Sequence, residues 1–364
     1  MNILILNWRD PKHPLAGGAE LSLLEHAKYW QKKGAKVTWF SSSFEGAKNH
    51  ETSGGITYIR RGTHFSVHLS FYFYSLFNSM QNYDIIIDCF HFLPFFTPAF
   101  IKDKKIVALI NEVAGKVWYS NMPFLLAWIG YHIEPLFFKM YKNTQFITAS
   151  ESAKKDLLQM GIPTKNIEII PHGVTIIDTK KIIKKEQTPT LLFLGRISKD
   201  KGIKDVLKAF KEVRCKMKDV RLWIVGKEEQ PDYLEKLLTS DFLDLKSSIK
   251  YYGFVSQKKK FEILKKSWLL LHASVKEGWG LTVIEAGSQN TPTIGYNVEG
   301  LRDSIQNGKT GLLVDSTPDA LANGVIMTLS DNRLYKSMTS NVKKWSDTFN
   351  WEKSGKESWK IIKQ

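Results

Sequence analysis

Residues 276–295 read KEGWGLTVIEAGSQNTPTIG. Two glutamates, Glu277 and Glu285, stand eight positions apart, and the chain changes character between them. Up to Gly280 it is glycine-rich and loop-like. A helical run, a Thr-Pro turn and a new apolar segment follow, so the stretch reads as part of an alternating α/β chain. Thr282-Val-Ile-Glu285 fits a capping box, with Glu285 at the third helical position reaching back to the Thr282 N–H. Glu277 has no such local use. It lies among small residues before the helix, where a carboxylate accepts hydrogen bonds from sugar hydroxyls. The amides from Gly278 through Gly280 to Leu281 are placed to hold a phosphate or a hydroxyl.

Outward from this stretch, short apolar runs recur with room for a helix between them. They are NILIL (2–6), KVTWF (36–40), ITYI (56–59), DIIID (84–88), KIVALI (105–110) and QFITA (145–149). A second series follows: TLLFLG (190–195), RLWIVG (221–226), IKYYG (249–253), WLLLHA (268–273), PTIGY (292–296) and GLLV (311–314). Near-continuous apolar runs are the pattern of parallel strands covered on both faces. Helical patterns lie between them, as at 20–33 (closed by Gly34), 201–216 and 256–266. The expectation is α/β architecture: two doubly wound domains, with the ligand crevice at the carboxyl ends of the strands. The first domain spans 1–175, a lysine-rich linker 176–187 and the second domain 188–344.

The length of 364 residues fits two domains. Two cysteines far apart, Cys89 and Cys215, form neither a disulfide framework nor a metal-ligand spacing, which fits a reducing compartment. The net charge of +16 favours an anionic surface or substrate, beside the plain reading of solvated lysine faces such as QKKKFEILKK (257–266). Specific nucleic-acid binding is not expected, because no recognition motif accompanies the charge.

Two further loops carry candidate chemistry. In DPKHPLAGGAE (10–20), Gly17 and Gly18 precede a helix and let a ligand approach the backbone. In GRISKDKGI (195–203), Arg196 offers a planar fork for phosphate oxygens and Lys201 adds a compact charge. The pair suits a diphosphate, and the GxxxxGK[ST] arrangement of a Walker loop is absent.

Together these pieces resemble the family 4 retaining glycosyltransferases of the GT-B fold. Their E-x7-E signature stands here as Glu277-GWGLTVI-Glu285, with GGAE (17–20), PHGV (171–174), GRISKDKGI (195–203), YYGFV (251–255) and NGKTGLLV (307–314) in matching order. The resemblance implies two Rossmann-like domains with an interdomain cleft, and a final helix over about 345–364 packed back on the first domain. It implies that Arg196 and Lys201 neutralise the donor diphosphate, that Glu285 holds the ribose, and that Glu277 contacts the donor sugar. Val255 and its turn would lie beside the base, and Gly18 with Gly17 beside the phosphates. The implied activity is transfer of a hexosyl unit from a UDP- or GDP-sugar to a glycan, lipid-linked in one reading, in polysaccharide or glycoconjugate synthesis. No metal or other cofactor is expected, since Arg and Lys stabilise the leaving diphosphate. The alternative is a non-catalytic sugar-nucleotide-binding subunit.

One departure stands out. Where many relatives carry a histidine after the strand matching KIVALI, this chain has Asn111, followed by Glu112. Asn bonds a sugar hydroxyl but shuttles no proton. Glu112 or His91, in DCFHFLPFF (88–96), are the acceptor-side candidates, with His91 also readable as packing. His172 in PHGV reads as structural. The aromatic-rich segments 65–77 and 121–142 fit either core packing or docking on an anionic membrane, at the cytoplasmic face.

Overall fold

Every apolar run named above forms a strand in the computed structural model, which describes residues 1–175 and 184–364 (at 120 and 121 by backbone alone). Of the expected linker, residues 176–183 lie outside the described residues. The chain divides into two units, Met1–Gly173 with Asn350–Gln364, and Val174–Phe349.

The first unit is built on eight strands: β1 (Asn2–Leu6), β2 (Lys36–Ser41), β3 (His50–Ser53), β4 (Ile56–Arg60), β5 (Ile85–Phe90), β6 (Lys105–Ile110), β7 (Gln145–Thr148) and β8 (Ile167–Ile169). They form one sheet in the order β3-β4-β2-β1-β5-β6-β7-β8, parallel except where β3 runs antiparallel to β4. Neither edge strand was expected. β3 is the polar HETS and β8 only three residues, so neither leaves an apolar run.

Alternation sends successive side chains to opposite faces. Leu4, Leu6, Ile86 and Phe90 pack with Phe71 and Phe138, under helices Val67–Phe77 and Phe124–Met140. Ile3, Ile5, Ile87 and Val107 face the other way, toward Trp30 and Ile361 of helices Gly18–Lys32 and Trp351–Lys363. The last helix begins at Trp351, later than the expected 345. The chain leaves the preceding helix, Asn332–Ser346, and Asn350 caps a new one through Lys353 N–H, 2.8 Å away. Ser358 on this helix accepts the Trp30 indole N–H (3.0 Å) and lies 2.9 Å from His26 Nδ1.

The two aromatic-rich helices pack on the core by one narrow side only. Helix Val67–Phe77 buries Val67 and Phe71; helix Phe124–Met140 buries Ala127, Gly130, Glu134 and Phe138. Most of their other large apolar side chains are exposed. Among the described residues, no helix is long and apolar enough to cross a membrane.

The second unit is a six-stranded parallel sheet of β9 (Thr190–Leu194), β10 (Arg221–Val225), β11 (Ile249–Tyr251), β12 (Leu269–His272), β13 (Thr293–Tyr296) and β14 (Gly311–Val314), ordered β11-β10-β9-β12-β13-β14. The strand order reverses between β9 and β12, as it does between β1 and β5 in the first unit. In each sheet the loops leaving those strands flank a switch point, where α/β folds hold ligands.

Candidate active site

The loop after β12 is fastened on one side to the loop after β9 and on the other to the loop after β13. Val275 N–H donates to the Asp200 carbonyl at 2.9 Å, and Glu277 N–H to the Glu299 carbonyl at 3.2 Å. Two glycines permit this. Gly202 sits at φ 70°, where a Cβ would come within 2.1 Å of the Ala273 carbonyl oxygen. At Gly300, φ 75°, a Cβ would meet the Glu277 carbonyl at the same distance. An L side chain at either position forces the loops apart.

This geometry joins two residues 76 positions apart. Lys201 Nζ lies 2.6 Å from Glu277 Oε1, and the Ser274 hydroxyl donates to the same oxygen at 2.9 Å. Burial pushes the Glu277 carboxyl up, but the Lys201 and His272 charges and these hydrogen bonds outweigh it and bring the group to about 2. His272 Nε2 is 3.6 Å from the same carboxylate oxygen. Burial lowers this imidazole to about 4, against the pull of Glu277, so it is neutral at pH 7.

Arg196 is half exposed and already engaged by carboxylates. It donates to Glu229 Oε1 (2.7 Å) and Asp200 Oδ2 (3.1 Å). Exposed pairs of this kind are worth little and are readily exchanged for another anion.

Glu285 corrects the capping expectation. The helix runs from Leu281 to Ser288 with Gly280 as its N-cap at φ 78°, so Glu285 falls in the second turn, too far along to cap. Thr282 Oγ1 instead lies 3.2 Å from His272 Nε2. The Glu285 carboxylate is 2.5 Å from Lys260 Nζ, and both side chains are largely shielded from water. Lys260 belongs to a run read as a solvated lysine face. The signal for it was the spacing: three and four residues before the buried Ile263 and Leu264, it shares their side of helix Gln257–Lys266. Gly278 and Leu281 flank the same loop and helix start. Val255 lies in the turn after β11, half-buried beside the exposed Phe254.

In the first unit, Gly17 is the N-cap and Gly18 the first residue of helix Gly18–Lys32. The Gly17 N–H is already bonded to the chain's own Glu20 Oε2 (2.7 Å), and Glu20 Oε1 accepts the Trp8 indole N–H (3.2 Å). His91, just past β5, stacks on Trp8 with ring centroids 5.2 Å apart, so it does pack against an aromatic; burial lowers its pKa. Just past β6, Asn111 Oδ1 lies 3.0 Å from His172 Nε2. An amide oxygen only accepts, so the imidazole proton sits on Nε2. Burial and the nearby His26 bring His172 down to about 3. His172 was expected to be structural, and its specific job, orienting Asn111, is a contact across 61 positions that no local pattern signals. Glu112 follows on a loop whose Ala114 and Gly115 N–H groups both donate to the buried Glu134 carboxylate at 2.8 Å.

A family profile described as Glycosyltransferase Family 4 matches residues 16–176, and one described as Glycosyl transferases group 1 matches residues 175–345. The chain belongs to the family 4 glycosyltransferases. An uncharacterised glycosyltransferase of Methanocaldococcus jannaschii is 29% identical over 238 residues, 62% of this chain and 60% of that protein. The chain thus spans about six-tenths of that relative's length. Among solved structures, sucrose-phosphate synthase from Thermosynechococcus elongatus superposes with a TM-score of 0.83 at 18% identity, covering 100% of this chain and 98% of its own. Anabaena HepE in complex with UDP and glucose gives 0.75 at 16% identity, covering 100% and 99%. These likenesses identify the fold of this glycosyltransferase as GT-B.

Proposed function

We propose that this glycosyltransferase moves a hexosyl unit from a UDP- or GDP-sugar to a glycan acceptor, lipid-linked, with retention of anomeric configuration and without a metal, in polysaccharide or glycoconjugate synthesis. The observation that carries the reading is the Lys201–Glu277 pair beside Arg196 at the second unit's switch point. Breaking the bond between the anomeric carbon and the phosphate oxygen leaves charge on the diphosphate, and fixed cations aimed there lower the barrier. Arg196 exchanges Glu229 and Asp200 for phosphate oxygens. Lys201 has three donors, so it can engage Glu277 and a phosphate oxygen together. Glu277, ionised at any working pH, accepts hydrogen bonds from the donor sugar; Glu285 takes the ribose hydroxyls. The amides of Gly278 to Leu281 and the turn at Val255 complete the donor side. With no carboxylate assigned as nucleophile, the acceptor hydroxyl attacks from the leaving-group face and its proton passes to the departing phosphate. Gly17, Gly18, Asn111, His91 and Glu112 stand at the carboxyl edge of the first sheet as phosphate-side and acceptor-side groups.

The second reading, a sugar-nucleotide-binding subunit without turnover, draws on Asn111, which cannot relay a proton. A panel of UDP-, GDP- and ADP-sugars separates the two. A thermal shift with one donor, plus slow hydrolysis of it that is lost in Glu277→Ala, supports transfer. A shift with no turnover, unchanged in Glu277→Ala, favours the binding subunit. No shift with any donor overturns both.

A further inference from the structure

The surface formed by the two aromatic-rich helices is a feature that the glycosyl-transfer reading does not use. Both helices cover the same face of the first unit's sheet, opposite the face holding helices Gly18–Lys32 and Trp351–Lys363. The turn between them joins the two: Phe71 packs on Phe95, and Phe96 on Phe137, with centroids 5.7 and 5.2 Å apart. On this face Phe65 and Phe77 are 87% and 85% exposed, and Phe124 and Leu125 are 75% and 67% exposed. Soluble surfaces rarely carry so many large apolar groups in one place.

The charges around this surface are mostly positive: Lys102 and Lys104 flank Asp103, and all three lie beside Tyr72, Leu76 and Phe77. Between Thr52 and Tyr83 the sequence has no Asp or Glu, and its cations are Arg61 and the buried Arg60, which pairs with Asp10. Between Val113 and Ser150 its one acid is Glu134, which is buried, while Lys116, Lys139 and Lys142 are exposed. Apolar and aromatic side chains rimmed mainly by lysine match the boundary between anionic headgroups and acyl chains. A self-complementary interface or a protein partner gives no reason for this excess of lysine over acid.

We propose that this face docks on an anionic lipid bilayer, with the N-terminal end of helix Phe124–Met140 seated at the headgroup–acyl boundary and Lys116, Lys139 and Lys142 on the headgroups. That end follows the loop leaving β6, which carries Asn111 and which Glu134 of the same helix holds by two backbone N–H groups. Docking therefore brings the Asn111 edge of the sheet to the surface where a lipid-linked acceptor resides. The docking itself does not depend on the proposed transfer activity, and its test measures no turnover.

The test is flotation of the full chain with vesicles of phosphatidylcholine alone and of phosphatidylcholine with phosphatidylglycerol. Two variants are compared: Phe124→Ser with Leu125→Ser and Trp128→Ser, and Lys116→Gln with Lys139→Gln and Lys142→Gln. Circular dichroism and melting confirm that both fold as the parent does. The parent should float with the phosphatidylglycerol vesicles and be released by salt. The lysine variant should lose about a hundredfold in partitioning there, at roughly fivefold per lysine, and the apolar variant at least as much. No flotation of the parent overturns the proposal, as does flotation unchanged in the folded apolar variant. A dimer in sedimentation velocity that the apolar variant abolishes, with no vesicle binding, assigns the face to a second copy instead.

Discussion

Lys260 Nζ lies 2.5 Å from Glu285 Oε1, between a helix that the charge pattern marks as a solvated surface and the second glutamate of the E-x7-E motif. Each charge is largely shielded from water, so each depends on the other.

Removing one partner therefore strands its mate. Lys260→Met should destabilise the protein by about 1–3 kcal/mol in urea unfolding, the cost of a charged group left without its hydrogen bond. Adding Glu285→Gln to that variant should recover part of the loss, because the stranded charge is gone. If Glu285 holds the donor ribose, Lys260→Met should also raise the donor KM by about tenfold, one charge-assisted hydrogen bond misplaced, with kcat little changed.

Glu277 should show its role in rate more than in folding. Glu277→Gln removes the counter-charge beside Lys201 and should lower kcat/KM by on the order of a hundredfold or more, measured with the donor that the nucleotide-sugar panel selects. Its folded pKa of about 2 lies below the 4.5 of an exposed glutamate. The stability it contributes is thus present above pH 4.5 and lost as pH falls toward 2. Glu277 should accordingly put no acid limb into the pH–rate profile between pH 4 and 7, which a profile of the parent over that range checks.

Asn111 is held by His172, so His172→Ala should act through the amide it orients. The expected result is a fall in transfer rate of roughly tenfold, the scale of one hydrogen bond, with donor KM unaltered. His172→Gln, which keeps an N–H donor, should restore part of the rate.

Acid should unfold the first unit early. His26 and His172 are buried and neutral, with folded values of about 4 and about 3 against 6.5 when exposed. Between those limits the unfolded chain binds more protons, so stability rises with pH and is lost as pH falls below about 6.5. Each histidine should remove up to about 2 kcal/mol by pH 5. Urea midpoints measured from pH 7 to 5 check this, and Ser358→Ala, which breaks the His26 contact, should not abolish the slope.

The strands and the two glutamates were legible because they are local patterns. An apolar run covered on both faces must read as continuous, and a loop that turns into a helix must show its glycines. The polar β3 and three-residue β8 carry no such signature, since an edge strand needs little apolar surface. The capping box failed for a similar reason. Thr282 and Glu285 have the right spacing, but the turn at Gly280 starts the helix early and moves Glu285 beyond reach of the first N–H groups.

By itself, then, the amino-acid sequence determined the alternating α/β architecture, the family, and the candidate donor loops at Arg196, Lys201 and Glu277. Tertiary structure alone decided which charges meet. Lys201 finds Glu277 because strands β9 and β12 are neighbours in the sheet, Lys260 finds Glu285 through helix packing, and His172 finds Asn111 across the carboxyl edge. It also decided that the aromatic helices face outward. Their composition suits a core as well as a membrane surface, and only the packing of the sheet beneath them shows which side chains are left uncovered.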